Sequence, residues 1–222
     1  MSSTPRRLQL ALGTALALLT IAVYFPVAGF EFLNYDDPSY VVDESHVNTG
    51  ITVDNLGWAM TTYANANWHP VTNFSHMLDV QLFGVNSGAH HRVNLAFHVV
   101  NVLLLFWLLA TATAEPWPAA FVAALFAVHP LNVQTVAWIA ERKSLLSTAF
   151  WLLALIAHMK FRKTRSVNAY FILIACAALA VASKPMAVTL PLTLVLFDLW
   201  PLAAKPEGRG SLIVRYAKEL AP

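Results

Sequence analysis

Six apolar runs leave this chain few ways to fold: they lie at about 8–30, 91–113, 118–130, 144–160, 167–182 and 186–200 of its 222 residues. Runs of this length, spaced by short polar segments, are read as membrane-spanning helices, because lipid offers the backbone no hydrogen-bond partner outside a helix. Several fall short of the ~20 residues that a perpendicular helix needs. The third, fifth and sixth must extend into their flanks, tilt, or shelter inside a bundle. The composition agrees, with 58% hydrophobic and 12% charged residues against roughly 25% charged in a soluble domain. The fold class expected is therefore all-α, a polytopic membrane protein of about six spans. The first run is longer than a cleaved export signal and more spans follow, so it reads as a retained span.

Basic residues orient the helices. Arg6 and Arg7 precede the first run, Lys160, Arg162, Lys163 and Arg165 follow the fourth, and Lys205, Arg209, Arg215 and Lys218 follow the sixth. The excess of basic residues on cytoplasmic loops puts all three clusters, and both termini, inside. Residues 31–90 hold no Lys or Arg but seven of the twelve acidic residues, which makes this long loop external. Within it, Thr52 can cap a helix that aligns Val53, Leu56, Met60 and Tyr63, and Pro70 can open another that aligns Val71, Phe74 and Leu78. Two amphipathic helices lying on the membrane surface are expected there. A net charge of +2 gives no ground for a nucleic-acid partner, and the single cysteine, Cys176, excludes both an internal disulfide and a cysteine metal cluster.

Three features raise functional questions. The loop opens with "FEFLNYDDPSYV", where Asp36 and Asp37 form either a turn or a catalytic carboxylate at the bilayer surface. On the second run His91, Asn94, His98 and Asn101 share one helical face, a polar stripe ~15 Å long at 1.5 Å per residue. It either lines a cavity, the stronger expectation, or supplies interhelical hydrogen bonds. In "HPLNVQTVAWIAERKSLLS", Arg142 and Lys143 sit on the outer side against the charge rule. A phosphate would hold them there, and so would a partner within the protein, Glu141 or an acidic loop residue. Lys184, in the external break "ASKPMAVTLP", is a third such base. His69 and His129 lie beside prolines, but neither has a spacing that carries a metal prediction. No metal or other cofactor is expected from the sequence, and dependence on a divalent metal is left open.

The blocks "NYDDPSYV", "WHPVTNFSHMLDVQLFG", "HHRVNLAFHVVNVLLLF", "HPLNVQTVAWIAERKSLLS" and "SKPMAVTLPLTLVLFDLWPL" occur in an order that resembles the N-terminal membrane half of the transmembrane-and-tetratricopeptide-repeat protein O-mannosyltransferases and their bacterial relatives. That family is similar to the C-type glycosyltransferases. The resemblance implies transfer of a sugar, mannose among the candidates, from a polyprenyl-phosphate donor to a protein or glycan hydroxyl, with inversion, at the outer face of the membrane. The setting would be a bacterial cytoplasmic membrane with the site facing the periplasm, or the endoplasmic reticulum membrane in a eukaryote. It implies Asp36 and Asp37 as the catalytic pair and Arg142, Lys143 and Lys184 as phosphate ligands; His69, His91, Asn94, His98, Asn101 and His129 are the candidates for the cavity around the substrate. Membrane lipids would be further partners. The resemblance also implies further spans and helical repeats that this sequence does not contain. Residues 1–204 are thus expected to form the membrane domain and 205–222 a cytoplasmic lead into a further span, in a truncated form. A transporter or flippase of an anionic lipid-linked substrate, and a non-catalytic assembly module, are the alternatives.

Overall fold

The computed structural model describes residues 6–200, and the segment 205–222 with its four basic residues lies outside them. The described residues are helical throughout, with no strand among them. Helix α1 (Arg6–Tyr24) runs on into a 3-10 turn, Phe25–Gly29. The long segment that follows carries α2 (Ser45–Asn48), α3 (Val53–Thr61) and α4 (Pro70–Phe83). Then come α5 (Ser87–Thr113), α6 (Pro116–Val128), α7 (Leu131–Ala137), α8 (Arg142–Thr164), α9 (Val167–Ser183) and α10 (Leu190–Leu199). Three helical segments, Arg6–Gly29, Ser87–Thr113 and Ile139–Thr164, are long and apolar enough to cross a membrane, and α6 with α7 makes a fourth if that bent pair is one span. Helices α9 and α10 are apolar but shorter, so six crossings remain an expectation.

The helix at the centre is α5, which packs against α1, α6 and α8. Twenty-seven residues make it about 40 Å long. Its first turn is fixed by Asn86, whose side-chain oxygen accepts from Ala89 N at 2.9 Å. Two positions after Asn86 the backbone of Ala28 closes in: a Cβ on Gly88 would lie 2.6 Å from Ala28 O, so only glycine fits where the 3-10 turn after α1 meets α5. Small residues also set the α5–α6 seam, where Ala119, Ala120, Ala123 and Ala127 pack on Val102 and Phe106 and let two backbones approach. The α6–α7 axis bends by 64° at His129 and Pro130. Proline disfavours a helical residue before it and brings no N–H of its own. Asn132 repairs part of the loss by donating to Phe126 O at 2.6 Å.

Outward-facing side chains are apolar along the helices, including Leu18, Phe121, Phe171 and Leu192, each more than 60% exposed. Buried positions are often polar, which inverts the water-soluble pattern and fits a lipid surround. This is an integral membrane protein.

The helices expected to lie on a surface in this segment divide. Thr52 caps α3 as expected, accepting from Asn55 N at 3.1 Å, and Val53, Met60 and Tyr63 point outward. Helix α4 begins at Pro70, also as expected, but it does not lie free on a surface. Leu78, Leu82 and Phe83 face out, whereas Thr72, Asn73, His76 and Asp79 are buried against the bundle. The polar face of α4 is the one that docks, because the bundle presents polar groups to it.

Candidate functional site

At one end of the bundle, the segment after α1 is pinned by Asp37. Its Oδ1 accepts from Ala140 N at 2.9 Å and its Oδ2 from Leu33 N at 2.8 Å, and the side chain is wholly buried. Burial pushes this carboxyl above the usual carboxylate range, although both N–H donors pull the other way. Asp36 differs. It is half-buried, and its carboxylate has no hydrogen bond or ion pair among the described residues; its backbone carbonyl accepts from Ser39 Oγ and Tyr40 N. The acidic pair thus combines the two readings open at the sequence level, a turn tether at Asp37 and a free carboxylate at Asp36.

Tyr40 carries the connection to α8. Lys143 Nζ donates to Tyr40 Oη at 3.1 Å and lies 4.6 Å from the centre of its ring. Glu141 then bridges two bases, with Lys143 Nζ 3.5 Å from one carboxylate oxygen and Lys184 Nζ 3.4 Å from the other. Ser144 donates to Glu141 and accepts from Lys184 at 2.7 Å. Two ammonium groups and one carboxylate leave an excess of one positive charge here. The Lys143 and Lys184 side chains are 14% and 28% exposed, so the cluster has an open side. His69 stacks on Tyr40, centroid to centroid 5.3 Å, and is buried. Burial, with Lys143 nearby, lowers its pKa to about 4.

Arg142 does not belong to this open cluster. Its side chain is fully buried, and its donors are taken by Asp79 Oδ2 at 2.7 Å, His90 O and Ser75 Oγ at 2.9 Å each, and Asn94 Oδ1. The partner is an acidic loop residue, the second of the two explanations that the sequence allowed. With four donors engaged and no exposed face, the guanidinium fastens α4 to α5 and α8.

The polar stripe of α5 also turns inward to protein. Asn94 donates to Val136 O and Trp138 O at 3.3 and 3.2 Å, His98 Nε2 meets Ala127 O at 3.0 Å, and Asn101 donates to Leu145 O at 2.9 Å. His91 Nε2 lies 3.4 Å from Glu31 O. All four side chains are buried, and the expected cavity is replaced by interhelical stitching to backbone carbonyls of neighbouring segments. His129 is exposed at the α6–α7 bend, with its Nδ1 accepting from Leu131 N at 3.3 Å, apart from the cluster around Lys143. Sequence reading missed Tyr40, Ser75, His76, Asp79, His90 and Ser144. For His76 and Asp79 a signal existed, since residues three apart on a helix share a face.

Residues 68–214 match the family described as dolichyl-phosphate-mannose-protein mannosyltransferase, two thirds of the chain. The chain belongs to this family. A protein O-mannosyl-transferase of Caenorhabditis elegans is 31% identical over 166 residues, covering 70% of this chain and 24% of that protein. Protein O-mannosyl-transferase Tmtc1 of Drosophila melanogaster is 26% identical over 216 residues, 94% of this chain and 25% of its own. For human protein O-mannosyl-transferase TMTC1 the figures are 27% over 207 residues, 82% and 23%. The chain therefore spans about a quarter of the length of the curated relatives it matches. No solved structure matches it at a significant level.

Proposed function

We propose that this chain is the membrane part of a glycosyltransferase that moves a sugar, mannose by family, from a polyprenyl-phosphate donor to a hydroxyl of a protein or glycan at the outer face of the membrane. The observation that carries the proposal is the divided acidic pair: Asp37 is spent on two backbone N–H groups, while Asp36 stands unpaired at the same end of the bundle as the open cluster around Lys143 and Lys184.

Asp36 takes the proton of the acceptor hydroxyl as its oxygen attacks the anomeric carbon. The bond from that carbon to the phosphate oxygen breaks on the opposite face, so the configuration inverts. Lys143 and Lys184 meet the charge that develops on the departing phosphate. Glu141 holds the two ammonium groups in place in the meantime. Arg142 positions α4 and the adjoining loop and does not contact the donor.

The test is a comparison of Asp36→Asn with Lys143→Met in the full protein, using a mannosyl polyprenyl phosphate donor. Asp36→Asn keeps the volume and removes the base; single-turnover rate should fall by on the order of 10² to 10⁴ while donor binding persists. Lys143→Met should weaken donor binding as well. Unaltered turnover in Asp36→Asn would defeat the assignment of the base.

A further inference from the structure

The closest gathering of ligand-type atoms in the described bundle lies outside the open cluster. His76 Nδ1 and His90 Nδ1 are 3.4 Å apart, and His90 Nδ1 is 3.2 Å from Asp79 Oδ2. All three ligand atoms lie within 4.8 Å of one another, and all three side chains are buried. We infer that His76, Asp79 and His90 form a binding site for a transition-metal dication of the zinc class, which clamps α4 to the first turn of α5.

A hydrogen bond accounts for His90 Nδ1 and Asp79 Oδ2 at 3.2 Å, but poorly for the approach of His76. At 3.4 Å the two imidazole nitrogens are farther apart than the usual 2.7–3.2 Å of N–H donors and their acceptors. The far-side nitrogens, His76 Nε2 and His90 Nε2, have no partner, so no bond there dictates how either ring is turned. What the rings share is the point between their Nδ1 atoms. A zinc ion ~2.0–2.1 Å from each ligand in a tetrahedron sets those ligands about 3.3 Å apart. The two Nδ1-centred separations, 3.4 and 3.2 Å, bracket that value.

Ligand chemistry narrows the ion. Two imidazoles and one carboxylate suit zinc or cobalt, whereas magnesium and calcium favour oxygen throughout. Three protein ligands leave a fourth position for water or hydroxide. The sequence gives the site as His-x2-Asp-x10-His, a one-turn pair on α4 and a third ligand just past the α4–α5 connection, which no familiar metal spacing flags. Arg142 limits the affinity. Its guanidinium shares Asp79 Oδ2 at 2.7 Å, so the carboxylate is already neutralised, and the bound ion should be removable by a chelator. The inference stands independently of the glycosyl-transfer reading.

The test begins with wild-type protein purified in detergent, stripped with a chelator and given Co²⁺ alone. The expected result is uptake of about one ion per chain, visible bands of a four-coordinate cobalt centre, a raised thermal midpoint, and displacement by Zn²⁺ but not Mg²⁺. His76→Gln and His90→Gln should lose all of these responses. His158→Gln should keep them, because His158 belongs to a separate pair with Asp198, 2.8 Å apart, at the other end of α8. The wild-type titration decides the matter even if the site variants fold poorly. Absence of stoichiometric uptake, stabilisation by Mg²⁺ equal to that by Co²⁺, or cobalt bands that survive both site variants would each overturn the inference.

Discussion

Replacing Asp79 with alanine should cost about 3 kcal/mol of stability, because it leaves the Arg142 charge buried without its counter-ion. Breaking a buried ion pair from one side costs roughly 3–5 kcal/mol. Arg142 is fully buried and would keep Ser75, Asn94 and the His90 carbonyl as acceptors, which places the loss at the lower end. Arg142→Met removes the charge from the other side and frees the same acceptors. In the double variant Asp79→Ala/Arg142→Met neither charge remains, and the loss should be far below the sum of the singles. A coupling of about 2–3 kcal/mol corresponds to roughly a hundredfold change in the folding equilibrium. Reversible unfolding in mixed micelles, followed by tryptophan fluorescence, would measure it; a chelator present throughout removes any contribution of a metal at Asp79. A coupling below about 0.5 kcal/mol, together with an Arg142→Met protein of normal stability that no longer binds lipid phosphate, would refute the assignment and return Arg142 to the donor site.

Asp37→Asn should behave unlike Asp36→Asn: an amide cannot accept from both Leu33 N and Ala140 N, so stability should drop by about 1–3 kcal/mol in thermal unfolding, with any rate loss following the loosened loop. His69 has a folded pKa of about 4 against 6.5 for the free side chain, so its neutral form is the one the fold prefers. Its contribution is complete above pH 6.5 and is lost as the pH falls from 6.5 towards 4, with a slope of at most ~1.4 kcal/mol per pH unit; a His69→Gln protein should have a correspondingly flatter stability profile over that range. Gly88→Ala should destabilise by about 1–3 kcal/mol, because the added Cβ would press on Ala28 O; an unchanged unfolding midpoint would show that α1 and α5 do not meet there.

Much of the architecture was legible in one dimension. The apolar runs, the proline at the start of α4, the threonine cap of α3 and the break at Pro130 act within a few residues, through solvation of a segment or the geometry of its own backbone. These local effects gave the helices nearly where they stand. Even the spacing of His91, Asn94, His98 and Asn101 correctly gave one face of one helix. What that face touches was another matter. The carbonyls of Ala127, Val136, Trp138 and Leu145 come from segments 29–44 residues away, and only packing aligns them with the stripe. The misplaced charge of Arg142 likewise showed that a partner must exist, since an unpaired charge in a bundle is too costly to persist. Its identity as Asp79, 63 residues earlier, depended on α4 docking by its polar face. Packing of the segment after α1 against Ala140 separated Asp37 from Asp36, giving one neighbour two backbone donors and leaving the other open. Residue types along the chain determined which groups needed partners; the tertiary structure decided which partners they received, because burial penalties are set by residue type and hydrogen bonds by distance.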